Sequence, residues 1–295
     1  MRSFWVAVLK SSEMTLTISD LIHNCFEKLK TVSDSPRLDA EILMSYILKI
    51  SRFDLFLKAK EQIDEVVEHK FNDLIQRRLN NEPIAYIINE KPFFEDVFYV
   101  DHRVLIPRPE TEFLVIEAIA QLKKYAYKTS VLDICCGSGC VGLSIFRVID
   151  CNLTMSDIST DALDVAAINL DRLFDYKESV KIVKSDIFEN IEGKYDLITA
   201  NPPYLSADDM TEFVKGDLKH EPVNAFFGGE NGFEFTEKIL NNAHIYLKPG
   251  GVIAVELGFE GSKFIKTVYD KIKLEKKIKD YSGIDRVAVF SLCRQ

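Results

Sequence analysis

Residue patterns that mark several common protein classes are missing from this sequence. Its six cysteines include no Cys-x-x-Cys pair and no histidine clusters near them, so neither a disulfide framework nor a zinc site is indicated. The apolar segment FWVAVL at residues 4–9 is too short to span a bilayer, and no convincing cleavage site follows it. Internal repeats and low-complexity segments are absent as well. These absences predict a cytoplasmic protein with reduced thiols, no metal, no export signal and no membrane association.

Positively charged residues are fewer than negatively charged ones. The 295 residues contain 37 Lys and Arg against 46 Asp and Glu, which gives a net charge of −9. This balance argues against a surface built to hold nucleic-acid phosphates, so no stable nucleic-acid binding is expected. A hydrophobic content of 47% is enough for one large domain and one smaller domain. Proteins and small molecules are the expected partners.

The first part of the chain has a residue pattern typical of helices. Apolar residues recur at helical spacing in TISDLIHNCFEKLK, in SPRLDAEILMSYILK and again over residues 61–80. Because these apolar faces need one another, we expect a small helical bundle at 17–82, after an N-terminal extension at 1–16. Aromatic and β-branched residues broken by Lys-Pro and Glu-Asp then predict a β-hairpin linker at 83–106.

From residue 107 to residue 295 predicted strands alternate with predicted helices. The strand candidates are SVLDICC, LTMSDI, VKIVKSDI, YDLITANPP, GGVIAVELG and RVAVFSL. Stretches such as 159–173 and 233–247 have helical spacing. The alternation predicts an α/β domain whose sheet is doubly wound and mostly parallel, with helices on both faces. In such sheets ligands bind at the carboxyl ends of the strands.

A glycine-rich segment, VLDICCGSGCVG, follows the first of these strands and opens a helix. Gly137, Gly139 and Gly142 spell G-x-G-x-x-G, and Asp157 ends the next strand at the distance typical of an acid that holds ribose hydroxyls. The segment therefore predicts a nucleotide-containing cofactor, of which NAD is one candidate. The structural alternative is a turn that only packs a strand against a helix.

Asp133 distinguishes between the cofactors. The pattern D-x-x-x-G-x-G resembles the glycine loop of class I methyltransferases, in which this carboxylate helps to arrange the loop beneath the methionine end of S-adenosyl-L-methionine. The resemblance implies that cofactor, and it extends the binding site over the loop. The residues it adds are Cys135, Cys136, Gly137, Ser138 and Gly139.

The resemblance then becomes more specific. The motifs, in chain order, are RPETE (108–112), DICCGSG (133–139), SDIS (156–159), NPPY (201–204), EPVNAFFGGENG (221–232), KPGGVIAVELG (248–258) and DRVAVF (285–290). Together with SPRLDAEILMSYIL and NEPIAYI, they resemble the bacterial peptide chain release factor glutamine methyltransferases, the HemK or PrmC family. The family implies a seven-stranded class I, Rossmann-like sheet. It usually has glycine where this chain has Cys135, and at a positive φ a cysteine costs about 1 kcal/mol.

Asn-Pro-Pro-Tyr suits chemistry on a planar nitrogen. An amide nitrogen is a poor nucleophile because its lone pair is delocalised, and two acceptors aimed at its N–H groups would direct that lone pair at a sulfonium methyl. Asn201 offers its side-chain oxygen and Pro202 its carbonyl, while the two prolines, Pro202 and Pro203, stiffen the segment. Tyr204 offers a flat face for stacking. An ordinary turn that ends a strand is the alternative.

Two further pairs of residues have open roles. Asp186 and Ile187 stand where related enzymes hold adenine, although Asp186 is equally suited to cap a helix. Arg108 and Glu110 are placed either to fix a lid over the site or to form a surface ion pair.

The motif alone does not select the substrate. The family implies transfer of a methyl group from S-adenosyl-L-methionine to N5 of the glutamine in the GGQ motif of release factors, in translation termination. Glutamine of a ribosomal protein and N6 of adenine in nucleic acid are the alternatives within the same chemistry. An NAD-dependent oxidoreductase is a remote alternative, since no histidine or lysine suits hydride transfer. A silent binding module should have lost Asn201 or Asp157, and both are present.

Overall fold

The computed structural model describes residues 16–213 and 216–293. It divides into two compact units, of which the first ends at Ile88 and the second begins at Asn89. The extension predicted at 1–16 lies outside the described residues except for Leu16. Within the described ranges, no helix has both the length and the apolar character that crossing a membrane requires.

The first unit is a bundle of helices, as its sequence predicts. The helices are α1 (Ile18–Leu29), α2 (Pro36–Leu48), α3 (Arg52–Leu57), α4 (Glu65–Leu79) and α5 (Ile84–Ile88). Thr17 starts α1 through a capping box, because its hydroxyl accepts from the Asp20 amide and the Asp20 carboxylate accepts from the Thr17 amide. A buried ion pair of 2.8 Å between Arg78 and Asp39 connects α4 to α2.

The hairpin is shorter than the sequence predicts. It consists of β1 (Lys91–Phe93) and β2 (Asp96–Phe98), which pair antiparallel inside the second unit. Residues 84–88 form α5 instead of extended chain, because the carbonyl of Pro83 accepts from the amides of Tyr86 and Ile87. Asn89 then ends the helix with a φ of 56°, a left-handed conformation that asparagine tolerates.

The second unit contains the predicted alternation of strands and helices. After the hairpin come α6 (Glu112–Leu122), β3 (Thr129–Ile134), α7 (Cys140–Val148), β4 (Cys151–Asp157), α8 (Thr160–Leu173), β5 (Val180–Lys184), β6 (Tyr195–Ala200), α9 (Ala207–Phe213), α10 (Glu234–Tyr246), β7 (Leu247–Glu256), β8 (Val268–Tyr269), β9 (Ile272–Lys279) and β10 (Asp285–Leu292). The strand order in the sheet is β5-β4-β3-β6-β7-β10-β9-β8. Strands β3 to β7 are parallel, and β8 to β10 are antiparallel. The eighth strand, beyond the seven expected, is the two-residue β8 at the edge.

Both faces of this sheet are covered by helices. Side chains from alternate positions of the strands enter two different cores, as Val131 and Leu132 illustrate on β3. Val131 belongs to a core with α6, α7 and α8, whereas Leu132 belongs to a core with α10. The doubly wound α/β fold is confirmed. Its strand order reverses between β3 and β6, and this is the point at which such sheets bind ligands.

Candidate functional site

A cavity of about 450 Å³ opens at the carboxyl ends of β3, β4, β5 and β6. Its wall contains most of the residues that the sequence singled out. They are Asp133, Cys135, Cys136, Gly137, Ser138, Asp157, Asp186, Ile187, Asn201 and Pro203. The volume falls within the range of about 300–1,000 Å³ that is typical of small-molecule sites. The fold therefore brings segments far apart in sequence to one ligand-sized pocket.

The glycine loop, residues 135–139, connects β3 to α7 along this wall. Gly137 has a φ of 53°, and its amide donates to Oδ2 of Asp157 at 2.9 Å. A Cβ atom added to Gly137 would meet no atom within 4 Å, so this glycine is required by its backbone conformation and leaves open space beside it. The turn closes with a hydrogen bond of 2.8 Å from the amide of Gly139 to the carbonyl of Cys136.

Gly139 and Gly142 are required for packing, and Gly139, with a φ of 78°, is required for its backbone conformation as well. A Cβ atom at Gly139 would lie within 3.3 Å of three buried side chains, and Gly139 is not part of the cavity wall. A Cβ atom at Gly142 would lie 3.0 Å from Oδ2 of Asp133. The packing role weighed as an alternative for the whole motif thus applies to two of its three glycines.

Cys135 meets the condition under which a cysteine is costly. Its φ is 57°, in the left-handed region that glycine adopts without strain. Burial raises the pKa of the Cys135 thiol and of the neighbouring Cys136 thiol well above the usual value for cysteine. A raised pKa disfavours the thiolate, the form in which a cysteine acts as a nucleophile.

The side chain of Asp133 joins β3 to the helix that follows the glycine loop and to the neighbouring strand. Its side chain is buried at the end of β3, where Oδ2 accepts from the amide of Gly142 at 3.0 Å and Oδ1 accepts from the hydroxyl of Thr199 at 2.8 Å. Burial is the main cause that raises the pKa of Asp133 to about 7, and the nearby charge of Asp157 adds to it. Asp133 therefore links β3, α7 and β6 in one hydrogen-bond network.

Asp157 ends β4 and lies between the glycine loop and the start of α8. Its Oδ2 accepts from the amide of Gly137, and its Oδ1 accepts from the amide of Ser159 at 3.0 Å. Burial raises the pKa of this carboxyl, while these amide donors act in the opposite direction. Each oxygen keeps a further lone pair, so the carboxylate can also accept from a ligand hydroxyl.

Asp186 and Ile187 follow β5. Residues 187–190, directly after Asp186, form a turn and not a helix, so the helix-cap alternative is wrong. Ile187 has a φ of 51°, which is rare for a β-branched residue. The hydroxyl of Ser185 holds this conformation by donating to the carbonyl of Ile187 at 3.1 Å while accepting from the amide of Asn190. Strain of this kind is concentrated at functional sites.

The Asn-Pro-Pro-Tyr segment, residues 201–204, leaves the end of β6 directly at the cavity. The side-chain nitrogen of Asn201 donates to Oγ1 of Thr111 at 3.3 Å. Pro202 is buried and, like Tyr204, is not part of the cavity wall. The Tyr204 ring instead packs against Gly258, where an added Cβ would lie 2.7 Å from Cδ2 of the ring. The Tyr204 ring, for which stacking on the substrate was predicted, therefore packs against Gly258 and lies outside the cavity wall.

Arg108 pairs with Glu221, a partner that the sequence did not indicate. A nitrogen of the Arg108 guanidinium donates to Oε1 of Glu221 at 2.6 Å, and the other oxygen of Glu221 accepts from the amide of Ile106 at 2.9 Å. Glu221 is almost fully buried, so it ties the loop around Pro222 to the chain that precedes α6. Both segments belong to the cavity wall.

The sequence did not single out three further residues that the structure connects to the site. Thr111 lies in the RPETE motif and Glu256 in KPGGVIAVELG, but neither motif assigns them a role, and Thr199 is an ordinary residue of its strand. Their roles come from partners distant in the chain, such as Asn201, which is 90 positions from Thr111. A pattern of neighbouring residues does not reveal contacts of this kind.

Comparison with known proteins agrees with this geometry. The family described as the PrmC N-terminal domain matches residues 20–88, and the methyltransferase small domain matches residues 111–229. The release factor glutamine methyltransferase of Leptospira interrogans is 37% identical over 267 residues, which is 87% of this chain and 91% of that protein. The protein of the same name from Clostridium acetobutylicum is 34% identical, with 93% of this chain and 98% of that protein covered.

A longer relative shows the same likeness. The bifunctional methyltransferase of Rickettsia felis is 32% identical over 94% of this chain, and the match covers 58% of that protein. The match to the Leptospira protein extends over nearly the whole of both chains, well beyond the glycine loop alone. This chain belongs to the family of the release factor glutamine methyltransferases.

Proposed function

We propose that this protein transfers the methyl group of S-adenosyl-L-methionine to N5 of the glutamine in the Gly-Gly-Gln motif of a peptide chain release factor. The observation that carries the proposal is the position of Asn201, which shares one cavity wall with the glycine loop and Asp157. The names of the relatives support the choice of substrate.

The residues of the cavity fit this cofactor. Carboxylates at Asp133, Asp157 and Asp186 surround the glycine loop, and they favour a ligand that carries a positive sulfonium. The diphosphate of NAD would bring negative charge to the same carboxylates. The described residues of the wall also include neither histidine nor lysine to act as the acid or base of a hydride transfer. Asp157 would hold the ribose hydroxyls and Ile187 the adenine.

The bound cofactor supplies an electrophilic methyl group, and the protein has to present the nitrogen to it. In this proposal, Oδ1 of Asn201 and the carbonyl of Pro202 accept hydrogen bonds from the two N–H groups of the glutamine amide. The accepted bonds orient the amide and direct its out-of-plane lone pair along the line of attack. Proline at 202 and at 203 restricts φ and adds no competing donor, so the acceptors stay aimed.

No strong base is needed before transfer. The nitrogen becomes acidic once it has gained the methyl group, and it can lose its extra proton to solvent afterwards. The absence of histidine from the described wall is therefore compatible with this reaction.

The first unit is assigned a role in docking the release factor. Its helix α3 exposes Phe53, Phe56 and Leu57 to solvent at 71%, 72% and 65%. Large apolar side chains exposed together are typical of protein-binding surfaces. Replacing Phe53 and Phe56 by serine should raise KM for the release factor and leave the affinity for S-adenosyl-L-methionine unchanged. An unchanged KM would contradict the docking role.

Asn201→Ala tests the catalytic proposal. We expect turnover to fall by about 100-fold or more, the effect typical of losing one group that stabilises a transition state, while calorimetry still detects S-adenosyl-L-methionine. Asn152→Ala, an exposed change on β4, is the matched control and should behave as wild type. Full turnover by Asn201→Ala would contradict the acceptor role. Tight NAD binding without binding of S-adenosyl-L-methionine would contradict the proposed function as a whole.

A further inference from the structure

Thr111 is a buried residue in contact with Asn201. It lies in the short helical turn that precedes α6, and it is only 2% exposed. Its Oγ1 accepts the hydrogen bond from Nδ2 of Asn201, at 3.3 Å. Thr111 also reaches the cavity wall, so the contact lies at the place where the substrate amide is expected.

On its other side Thr111 meets a buried carboxyl group. Glu256 is the last residue of β7 and is 2% exposed. Burial raises the pKa of the Glu256 carboxyl, and hydrogen bonding with the Thr111 side chain is the main effect that lowers it. Oε2 of Glu256 has no hydrogen-bond partner within the described part of the chain. A carboxyl group buried in this way needs a donor, and we assign that role to the hydroxyl of Thr111.

A hydroxyl group has a single proton to donate. If that proton is directed at the Glu256 carboxylate, only lone pairs of Thr111 remain to face the Asn201 side chain. The amide of Asn201 then has to present its NH₂ group to Thr111, and its oxygen is left for the opposite side. The opposite orientation of the amide would direct N–H groups at the N–H groups of the substrate.

We propose that Glu256 and Thr111 are positioning residues that fix the orientation of the Asn201 amide, so that its Oδ1 is available to accept from the substrate glutamine. This inference rests on the proposed function. It adds two residues to the site, neither of which touches the reacting atoms.

The protonation state of Glu256 should make turnover depend on pH, and this dependence can be measured. Burial raises the pKa of Glu256 to about 7; Arg286 on β10 opposes this shift, and Glu110, in the same turn as Thr111, adds to it. Burial raises the pKa of Tyr204, three residues after Asn201, to about 12, and the charge of Glu256 adds to this shift. A protonated Glu256 can donate to Thr111, which frees the threonine proton to bond Oδ1 of Asn201 and reverses the amide. Turnover should therefore rise as the pH increases through about 7.

Two threonine variants separate positioning from folding. Thr111→Val keeps the shape but removes the hydroxyl, and turnover at saturating substrates should fall by about tenfold, the loss that one misdirected hydrogen bond produces. The dissociation constant for S-adenosyl-L-methionine, measured by calorimetry, should stay unchanged. Thr111→Ser keeps the hydroxyl and should recover most of the turnover. Thr129→Val is the matched control, because Thr129 is equally buried and its hydroxyl finds no hydrogen-bond partner among the described residues.

Glu256→Gln provides the second, independent measurement. The rise of turnover with pH should be smaller in this variant than in wild type, and the part that remains is expected from Asp133, whose pKa is also raised to about 7. A wild-type pH profile in Glu256→Gln, wild-type turnover in Thr111→Val, or an equal loss in Thr111→Ser and Thr111→Val would each overturn the inference. Failure of the wild-type protein to methylate the release factor would instead overturn the proposed function.

Discussion

Cys135 occupies a backbone conformation that favours glycine, and the cost of this can be measured. Its φ is 57°, and a left-handed conformation costs an L-residue with a Cβ atom about 1–2 kcal/mol. Glycine avoids that cost but loses about 0.4–1 kcal/mol through the greater freedom of its unfolded chain. Cys135→Gly should therefore be more stable than Cys135→Ala by about 0.5–1 kcal/mol. Both variants lack the sulfur, so the difference between them isolates the backbone from most of the packing.

Urea unfolding followed by circular dichroism measures this difference. The matched pair is Cys151→Gly and Cys151→Ala at the buried start of β4, where φ is not positive. There the order should be reversed, with alanine more stable than glycine by about 0.5–1 kcal/mol. Equal stability of Cys135→Ala and Cys135→Gly would contradict a backbone cost at this position.

Three other changes should have defined effects. Gly228→Ala would place a Cβ atom 2.7 Å from the carbonyl oxygen of Pro203, so the Asn-Pro-Pro-Tyr segment should shift and turnover should fall by at least about tenfold; wild-type turnover would contradict this. The pKa of Asp133 is raised from 3.8 to about 7, so this carboxyl stabilises the fold below pH 3.8 and loses that contribution as the pH rises through about 7. The free energy of unfolding of Asp133→Asn should accordingly fall less than that of wild type over this pH range, and an equal fall would argue against the shift. Glu221→Ala leaves the Ile106 amide without this acceptor and should lower the unfolding free energy by about 1–3 kcal/mol, whereas no loss would show that water replaces the carboxylate.

Most of the catalytic sheet could be predicted from the sequence because its central strands are buried on both faces. Strands such as β3 and β6 appear as apolar runs, with Asp133 next to the last residue of β3 and Asn201 directly after β6. Strand β9, with the sequence IKLEKKIK, was missed because its lysines are typical of an exposed helix as well. Its pairing with β10 depends on long-range contacts that the segment itself does not display.

The candidate site was predictable where a motif itself carries the chemistry. The glycine loop and Asp157 meet at one cavity, and Cys135 has the positive φ considered for it. Glu221 is different, since it bonds the amide of Ile106 across 115 positions. Such a contact depends on how the finished fold brings two segments together. The same reason kept Thr111 and Glu256 out of the sequence-based prediction.

The glutamine of a release factor is the proposed acceptor of the methyl group. The most direct measurement is mass spectrometry of a purified release factor and of ribosomal proteins, each incubated with this protein and isotopically labelled S-adenosyl-L-methionine. A release factor whose Gly-Gly-Gln glutamine is replaced by alanine serves as the control substrate. One labelled methyl group is expected on that glutamine of the release factor and none on the control substrate. Labelling of a ribosomal protein in place of the release factor, or equal labelling of the control, would contradict it.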